Sequence, residues 1–410
     1  MHRPLKCVRD FLTLRLVPGE KLLLALSGGG DSLALLYLLL ECRKFLDFDL
    51  HTAHVDHAWR EESDEEAKIL RRLAQHLNLP FYLRQLEPLT GPNLEDRYRD
   101  KRYAFLHELQ DKESFQAVLL AHHADDQGET LLKRICEGAR LGALGGLKSE
   151  VNRGNLTLWR PLLPVRKAEL IAYLQAKPIE PFDDWTNKDT HYLRPRMRLK
   201  IFPDLEEQFG KSIGRNFQRL GFLFQEMTEY LEEKKKEIEK ELVQGPFGFY
   251  LENPSRYPRL VMRFFLEEVA RVQEGHLSQD SCAALLRLIE VNAPKATIHA
   301  GALTYVLNKH YLFLLKKEFP CFDQHQWKKK KQRSNWKDFW RGTCMSVPDD
   351  CQILSLEDLN PILRKKMKKW YAKHQVPPFM HDKAPIFCSK GEIVEECLTG
   401  FGISDCKITT

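Results

Sequence analysis

The stretch that decides the fold of this chain is Leu22-Leu-Leu-Ala-Leu-Ser-Gly-Gly-Gly-Asp-Ser32, a short apolar run that leads into a glycine-rich loop. Residues 33–40 continue it as an apolar, helix-like segment. In a strand, loop and helix of this kind, glycines allow close backbone approach, so N–H groups and the helix N-terminus can converge on an anion. The stretch therefore predicts a phosphate-binding loop and, with it, a nucleotide site.

The pattern of this loop narrows the type of nucleotide chemistry. It lacks the Gly-Lys-Ser/Thr ending of a Walker A loop and the G-x-G-x-x-G spacing of a dinucleotide site. Its Ser-Gly-Gly-x-Asp-Ser pattern instead resembles the PP-loop of the ATP pyrophosphatases, which implies cleavage of ATP between the α- and β-phosphates. The residues that this resemblance assigns to ATP are Ser27, Gly28, Gly29, Gly30, Asp31 and Ser32.

Length and composition indicate a globular protein with several domains. A chain of 410 residues is long enough for two or three domains, and 29% charged with 43% hydrophobic residues is typical of soluble proteins. Residues 319–410 hold 16 lysines and arginines against 11 acidic residues, which favours a polyanionic partner there. The longest apolar run, residues 33–40, is far too short to span a membrane. We expect a cytoplasmic protein with no membrane partner.

The ten cysteines are scattered along the chain without a C-x-x-C pair. This spacing argues against a zinc ribbon, a disulfide framework and a two-cysteine sulfur relay.

Secondary-structure patterns predict an α/β protein with three parts. Strands expected at residues 22–26, 52–55, 81–86, 117–121 and 156–162 alternate with helical segments, which is typical of a parallel sheet covered on both faces. Residues 205–315 read as mostly helical, with a strand pair within 297–315, and a basic break at 324–335 precedes a mixed final segment. We therefore predict a parallel-sheet PP-loop domain like the adenine nucleotide α-hydrolases at 1–205, a mostly helical domain at 206–320, and a small, basic, mixed α/β domain at 321–410.

Two polar segments follow predicted strands, where a doubly wound sheet places its ligand contacts. His54 and Asp56 end the second strand and are expected near the nucleotide. Residues 122–130, His-His-Ala-Asp-Asp-Gln-Gly-Glu-Thr, open a helix with Asp126 and Glu129 near one face. These carboxylates could hold a magnesium–phosphate complex or a substrate ammonium. The alternative is that the acidic residues only stabilise the helix N-terminus.

Three basic segments suit contacts with RNA phosphates and bases. One lies on a predicted helix that could equally be a salt-bridged surface helix, one is an arginine comb at residues 194–198, and one is a lysine cluster near the C-terminus. The RNA-binding candidates are Arg99, Arg102, Tyr103, Arg194, Lys365, Lys366, Lys368 and Lys369.

Taken together and in this order, these segments resemble the tRNA(Ile)-lysidine synthetases, densely over the first 205 residues and again at 376–391. That family adenylates the wobble cytidine of a minor tRNA(Ile) at carbon 2, and free L-lysine then displaces AMP. The resemblance implies ATP and magnesium as cofactors, with Asp31 as the carboxylate for the metal. It also implies that Asp126 and Glu129 face the reacting base or lysine, and that Arg196 or Arg198 lies at the reaction centre.

The chain departs from the family pattern at two places. Glu137-Gly138 stands where the family usually has Arg-Gly, so Arg140 could supply the missing cation, and Arg194-Pro195 replaces an Arg-Asn start to the arginine comb. Two alternatives stay open: a PP-loop tRNA thiolase, which the absence of paired cysteines disfavours, and a non-catalytic tRNA-binding protein. A homodimer is a further open expectation.

Overall fold

The computed structural model describes residues 2–56, 63–87, 91, 94–175, 177, 182, 190–245, 247–273, 275–301, 303–316, 335–340, 351–382 and 384–399. By its internal contacts the chain divides into two compact units, Met1–Thr228 and Glu229–Thr410. The three domains expected from the sequence, with boundaries at 205 and 320, stay predictions. The basic break at 324–335 lies almost wholly outside the described residues.

The described strands are β1 (Lys21–Ala25), β2 (Asp49–Asp56), β3 (Phe81–Gln85), β4 (Ala117–Leu119), β5 (Glu150–Arg153), β6 (Leu156–Trp159), β7 (Val243–Gly245), β8 (Gly248–Glu252), β9 (Lys295–Ala300), β10 (Leu303–Asn308), β11 (Tyr311–Lys316), β12 (Gln352–Leu354), β13 (Ile386–Ser389) and β14 (Glu392–Glu396). The described helices are α1 (Arg3–Thr13), α2 (Gly30–Cys42), α3 (Ser63–His76), α4 (Leu94–Glu113), α5 (Ala124–Cys136), α6 (Leu141–Leu144), α7 (Lys167–Leu174), α8 (Leu193–Arg196), α9 (Phe202–Phe209), α10 (Ile213–Glu241), α11 (Arg259–Val272), α12 (Gln279–Glu290), α13 (Trp336–Trp340) and α14 (Pro361–Lys373). A π-helical segment, Met197–Ile201, joins α8 to α9. None of the described helices is both long and apolar enough to span a membrane.

The N-terminal unit is built on a six-stranded sheet with the order β3-β2-β1-β4-β6-β5. Five strands are parallel, and only the edge strand β5 pairs antiparallel, with β6. The sequence predicted the five parallel strands, and three of them, β1, β4 and β6, are mostly buried and apolar, as is typical of a parallel sheet covered on both faces. It did not predict β5, whose residues are mostly exposed.

Side chains of the parallel strands alternate between two hydrophobic cores, one on each face of the sheet. Leu22 and Leu24 of β1 pack with α1, α2, α3 and α7, whereas Leu23 packs with α4 on the other face. All three leucines are fully buried. The N-terminal unit is therefore a three-layer α/β/α fold.

The order of the strands fixes where a ligand can bind. The chain runs outward from β1 to β2 and β3 on one side and to β4 and β6 on the other, so the order reverses between β1 and β4. At such a switch point the loops after the two central strands part and leave a crevice at the carboxyl edge of the sheet. The loop after β1 is the glycine-rich loop, and the segment after β4 is the acidic segment that opens α5.

The C-terminal unit contains more sheet than the sequence predicted. A five-stranded antiparallel sheet has the order β7-β8-β11-β10-β9, and a three-stranded antiparallel sheet has the order β12-β13-β14. Buried residues from both sheets, α13 and α14 share one core that is rich in aromatic rings, with Trp340 and Tyr371 fully buried. Residues on both sides of the predicted boundary at 320 thus contribute to the same core. The predicted fold class is confirmed, and the expected strand pair at 297–315 is part of a larger sheet.

Candidate active site

The glycine-rich loop makes a tight turn between β1 and α2. Gly28 has a φ of +85°, and a side chain there would collide with the ring of Phe182, 2.3 Å from an added Cβ. The N–H of Gly28 donates to the Ser32 hydroxyl at 3.1 Å, and that hydroxyl lies equally close to the Ser27 hydroxyl. Gly29 precedes α2 as its N-cap, so the free N–H groups of the first helical turn open beside the loop. The loop has the shape that an anion site requires.

His54 lies directly behind this loop. It is buried near the end of β2, and its Nδ1 donates to the carbonyl oxygen of Leu26 at 2.8 Å. Burial lowers the pKa of His54, so the ring is neutral, with Nδ1–H directed at the loop backbone. Asp56 is buried at the end of the same strand. Both residues lie at the carboxyl edge of the sheet, as their position in the sequence predicted.

Asp31 is the carboxylate of the loop, in the first turn of α2. Its Oδ2 lies 3.4 Å from Nε2 of His123 and 3.9 Å from Nζ of Lys167. Burial acts to raise the pKa of Asp31, but the contact with His123 and the positive charges of Lys167 and Arg198 outweigh burial and lower it. Asp31 is therefore ionised at neutral pH.

Helix α5 begins at the carboxyl end of β4. At its N-terminus two side chains accept hydrogen bonds from backbone N–H groups. Nδ1 of His123, the N-cap residue, accepts a hydrogen bond from the Asp125 N–H at 3.2 Å. The Asp126 carboxylate in turn accepts one from the His123 N–H at 3.0 Å. This arrangement is a capping box. Asp126 thus stabilises the N-terminus of α5, as the alternative interpretation of the acidic residues expected. It also has contacts outside the helix.

Arg198 joins the two carboxylates that the sequence placed on one face of α5. Its Nη2 donates to Asp126 at 2.7 Å, and its Nε donates to Glu129. Arg196, by contrast, is exposed, and among the described residues its side chain donates only to the carbonyl oxygen of His191, at 3.5 Å. Of the two arginines that the sequence could not separate, Arg198 is the one that lies between the carboxylates.

The π-helical segment explains how Arg198 reaches α5. π-Helical turns are rare and occur often at functional sites, because the extra residue in the turn redirects side chains. Pro195 lies in the first turn of α8, where a residue without an N–H is tolerated. The departure Arg194-Pro195 is therefore compatible with the helix that leads into this segment.

Glu129 is almost fully buried, and its Oε2 has no hydrogen-bond partner among the described residues. Burial raises the pKa of Glu129, with the nearby Asp126 adding to the rise and Arg198 opposing it. A carboxylate with a raised pKa and a vacant oxygen is suited to accept a proton.

Asp125 has a structural role. It accepts hydrogen bonds from the Arg166 side chain at 3.0 Å and from the Lys167 N–H at 2.8 Å. These contacts fix the start of α7 against α5 and so place the Lys167 ammonium near Asp31.

A second group of polar side chains surrounds His122. Arg160 is buried and donates from Nε to Nδ1 of His122 at 3.3 Å, while Arg153 stacks on the Tyr103 ring at 4.6 Å. Burial lowers the pKa of His122 to about 4, with Asp126 opposing and the charges of Arg160, Arg194 and Arg102 assisting. Three RNA-binding candidates, Arg102, Tyr103 and Arg194, therefore cluster on the side of the site next to Asp126.

The other RNA-binding candidates lie elsewhere. Arg99 is exposed and paired with Asp96 at 2.8 Å, which matches the salt-bridged surface helix considered as an alternative for this segment. Lys365, Lys368 and Lys369 are exposed on one face of α14, where they line a shallow groove of about 470 Å³ together with Pro361, Arg364 and Ala372. Lys366 is partly covered on the flank of that face. Among the described residues, none of these four lysines has a recorded ion pair.

The departure at Glu137-Gly138 falls at the exposed end of α5. Glu137 is the C-cap residue and pairs only loosely with Lys133, at 3.9 Å, while Gly138 has a φ of +65°. Arg140 is the N-cap residue of the short helix α6. Among the described residues, Glu137 pairs with Lys133 and not with Asp126 or Glu129.

The residues present fit magnesium bound together with a nucleotide. Within the described part of the chain, no cluster of three or more histidine, cysteine and acidic side chains could hold a metal ion by itself. Magnesium is usually held by one or two carboxylates together with substrate phosphates, and Asp31 is an ionised, partly exposed carboxylate beside the phosphate-binding loop.

Sequence reasoning missed three residues of the site: His123, Lys167 and Arg160. Histidine is not among the usual N-cap residues, so nothing in the sequence marked His123 as a cap. Lys167 and Arg160 become neighbours of the site only through the positions of β6 and α7 next to β4 and α5. Only the pairing of predicted strands β4 and β6 could have pointed to Arg160.

Comparison with known proteins agrees with this geometry. The family described as "PP-loop domain" matches residues 5–205. A tRNA(Ile)-lysidine synthase from Protochlamydia amoebophila is 33% identical over 423 residues, which cover 96% of this chain and 92% of that protein. The chain belongs to the tRNA(Ile)-lysidine synthase family. The family predicted from the sequence is thereby confirmed, ahead of the thiolase and the non-catalytic alternatives.

Other tRNA(Ile)-lysidine synthases match a little over half of this chain. The protein from Chlamydia muridarum is 39% identical over 57% of this chain and 72% of that protein, and the one from Chlamydia pneumoniae is 43% identical over 52% and 67%. Among solved structures, a U34-tRNA thiolase from Methanococcus maripaludis superposes with a TM-score of 0.42 and 20% identity, covering 53% of this chain and 77% of the thiolase. The tRNA(Ile)-lysidine synthase family consists of PP-loop ligases that use ATP, so this chain is assigned to that enzyme class.

Proposed function

We propose that this protein uses ATP to attach lysine to carbon 2 of the wobble cytidine of tRNA(Ile). Membership of the tRNA(Ile)-lysidine synthase family supports the reaction. One observation carries its assignment to this site. At the switch point of the sheet, His123 lies within 3.6 Å of both Asp31, from the phosphate-binding loop, and Asp126, from α5, and Arg198 joins Asp126 to Glu129. An ATP subsite and a subsite for a cationic nucleophile therefore lie side by side.

The reaction proceeds in two steps because a cytosine carbonyl is a poor electrophile. In the first step the cytosine oxygen O2 attacks the α-phosphorus of ATP, an O–P bond forms, and pyrophosphate leaves as the bond between the α-phosphorus and the bridging oxygen breaks. In the second step the ε-amine of lysine attacks carbon 2, the C2–O2 bond breaks and AMP leaves. Holding both reactants in one site makes each step effectively intramolecular.

The loop and its surroundings serve the first step. The N–H groups of the glycine-rich loop and of the first turn of α2 would bind the phosphate chain, with His54 supporting the loop from behind. Magnesium held by Asp31 would neutralise charge on the departing pyrophosphate. Lys167, 3.9 Å from Asp31, adds a cation on the same side.

Asp126 and Glu129 serve the second step. Lysine enters as an ammonium ion and must lose a proton before its nitrogen can attack. Two adjacent carboxylates can hold the ammonium, and the vacant Oε2 of Glu129, whose pKa burial raises, can accept the proton. Arg198 balances the negative charge of the pair when no lysine is bound.

The tRNA is expected to contact both units. Arg102, Tyr103 and Arg194 lie beside His122 and next to Asp126, where a cytidine with its flanking phosphates would have to bind. The exposed lysines of α14 would contribute phosphate contacts from the C-terminal unit. Location in the cytoplasm and association into a homodimer remain predictions, and light scattering of the purified chain tests the second.

A two-stage assay tests the proposal. With tRNA(Ile) and ATP but no lysine, we expect pyrophosphate release, and AMP release only after lysine is added. Asp126→Asn should reduce lysine transfer by roughly 100-fold or more, because the amide can neither pair with the ammonium nor accept a proton. Glu137→Gln, at the exposed end of the same helix, is the matched control and should behave like the wild type. AMP release without lysine, or normal transfer by Asp126→Asn, would contradict the proposed roles.

A further inference from the structure

His123 occupies an unusual position in the site, because it is fully buried and polar and yet belongs to no part of the chemistry described above. Its Nδ1 accepts the N–H of Asp125 and so carries no proton. In a neutral imidazole the proton must then reside on the other nitrogen, Nε2. The helix cap therefore fixes the tautomer of the ring.

The Nε2–H of His123 points into the gap between two carboxylates. Nε2 lies 3.4 Å from Oδ2 of Asp31 and 3.6 Å from Oδ2 of Asp126, and among the described residues it is a buried polar atom without a well-formed hydrogen bond. The backbone N–H of His123 already binds the same Asp126 oxygen at 3.0 Å. One residue thus contacts the carboxylate of the ATP subsite through its ring and the carboxylate of the lysine subsite through its backbone.

The two carboxylates depend on His123 to different degrees. Asp126 is also held by Arg198 at 2.7 Å, whereas the other recorded contact of Asp31 is with Lys167 at 3.9 Å. Leaving a buried polar atom without a hydrogen-bond partner costs free energy. The interaction between the ring N–H and the Asp31 carboxylate is therefore strongly favourable in this desolvated site. The orientation of Asp31 therefore rests mainly on His123.

We propose that His123 is a positioning residue, which uses the proton on Nε2 to hold Asp31 in the orientation required for the ATP half of the reaction. This inference rests on the proposed function for the role of Asp31. It assigns to His123 an effect on pyrophosphate release and on magnesium-dependent nucleotide binding, beyond its effect on the stability of α5.

Two substitutions separate positioning from capping. His123→Asn keeps a short acceptor, and asparagine is among the preferred N-cap residues, but it lacks a donor at the Nε2 position. His123→Gln places an N–H near the Nε2 position and loses the short cap. If His123 positions Asp31, His123→Asn should melt close to the wild type and yet release pyrophosphate roughly 10- to 100-fold more slowly, as is typical when a supporting hydrogen bond is removed. His123→Gln should stay within roughly fivefold of the wild-type rate and melt roughly 2–4 °C lower.

Calorimetry with a non-hydrolysable ATP analogue, with and without magnesium, gives a readout that does not depend on turnover. The gain in affinity on adding magnesium should be lost in His123→Asn and retained in His123→Gln. If both variants behave like the wild type in affinity and rate, or if rates follow melting temperature alone, His123 is only a cap and the inference is wrong. If instead the wild type binds the analogue but never transfers lysine, the proposed function fails, while the magnesium-dependent affinities still decide the role of His123.

Discussion

In the unit Met1–Thr228, charged side chains are buried against one another, whereas in the unit Glu229–Thr410 the lysines of α14 are mostly exposed. Arg198 contacts two carboxylates, one of which, Glu129, is almost completely buried. Lys365, Lys368 and Lys369 line an open groove, and no carboxylate of the described residues pairs with them. The buried ion pairs fix the positions of the side chains in the site to within a few ångströms. The exposed lysines create a positive electrostatic field that attracts polyanions.

This difference predicts two distinct responses to mutation and to salt. Added salt only weakly screens buried charges that are in contact. Substitutions in the N-terminal site should therefore change the reaction rate by a similar factor at low and at high salt. Exposed lysines act through counterion release, so changes on α14 should alter tRNA affinity and its salt dependence. Substitutions in the N-terminal site should therefore impair catalysis, and substitutions on α14 should impair tRNA binding.

The largest effect is expected for Asp31→Asn. The amide retains the shape of the side chain but removes the charge that would hold magnesium, so pyrophosphate release should fall by roughly 1000-fold or more. Binding of tRNA, measured by filter retention, should stay near the wild-type value at every salt concentration. Asp47→Asn, on the exposed turn after α2, is the control and should leave both quantities unchanged. Normal pyrophosphate release by Asp31→Asn would remove the loop carboxylate from the mechanism.

The next effect separates the two arginines that flank the π-helical segment. Arg198→Ala leaves Asp126 and Glu129 without their shared cation, and we expect lysine transfer to fall by roughly 100-fold. Arg196→Ala removes an exposed side chain and should change transfer by less than roughly fivefold. The comparison is made on single-turnover rates with saturating tRNA. A larger loss for Arg196→Ala than for Arg198→Ala would show that the contacts of Arg198 do not identify the arginine at the reaction centre.

Replacing Lys365, Lys366, Lys368 and Lys369 together by alanine should weaken tRNA binding and leave the KM for ATP unchanged. Loss of four phosphate contacts would reduce the slope of log K against log salt by about three units. The control is a second fourfold replacement, of Lys234, Lys235, Lys236 and Lys240 on α10, which changes the net charge equally. Two of those lysines pair with glutamates, so their loss should change the slope less. Equal slopes for the two variants would mean that α14 contributes only general charge.

The smallest effect is expected for Lys167→Ala. The Lys167 ammonium is partly exposed and 3.9 Å from Asp31, so its loss should raise the KM for ATP by roughly three- to tenfold with little change in kcat. Lys133→Ala, on the exposed side of α5, is the control. A change in kcat alone would assign Lys167 to the chemical step instead of nucleotide binding.

The parts of the fold that the sequence predicted are those governed by local pattern. The buried strands appear as continuous apolar runs, and the glycine-rich loop marks the end of β1. The five-stranded sheet of the C-terminal unit was largely missed, because β7 and β8 are short and closely spaced around a turn. Gly248, the first residue of β8, lies so close to β11 that an added Cβ would be 2.1 Å from the carbonyl oxygen of Leu314. That closeness comes from long-range pairing, which no local pattern reveals.

The site shows the same division between local and long-range information. Helical spacing placed Asp126 and Glu129 near one face of a helix, and the family resemblance supplied the role predicted for them. The choice between Arg196 and Arg198 was not available, because it depends on a π-helical turn. His123 was missed since its importance lies in a distance to Asp31, a residue 92 positions earlier in the chain.

The most direct test of the whole account is incorporation of radiolabelled lysine into tRNA. With ATP and a tRNA(Ile) transcript that has a wobble cytidine, we predict one labelled lysine per tRNA, released as a modified nucleoside on digestion. The same transcript with uridine at the wobble position should take up no label, and neither a thiol donor nor ammonia should replace lysine. Absence of label with wild-type protein that cleaves ATP, or equal labelling of both transcripts, would contradict the assignment of this site to lysidine formation.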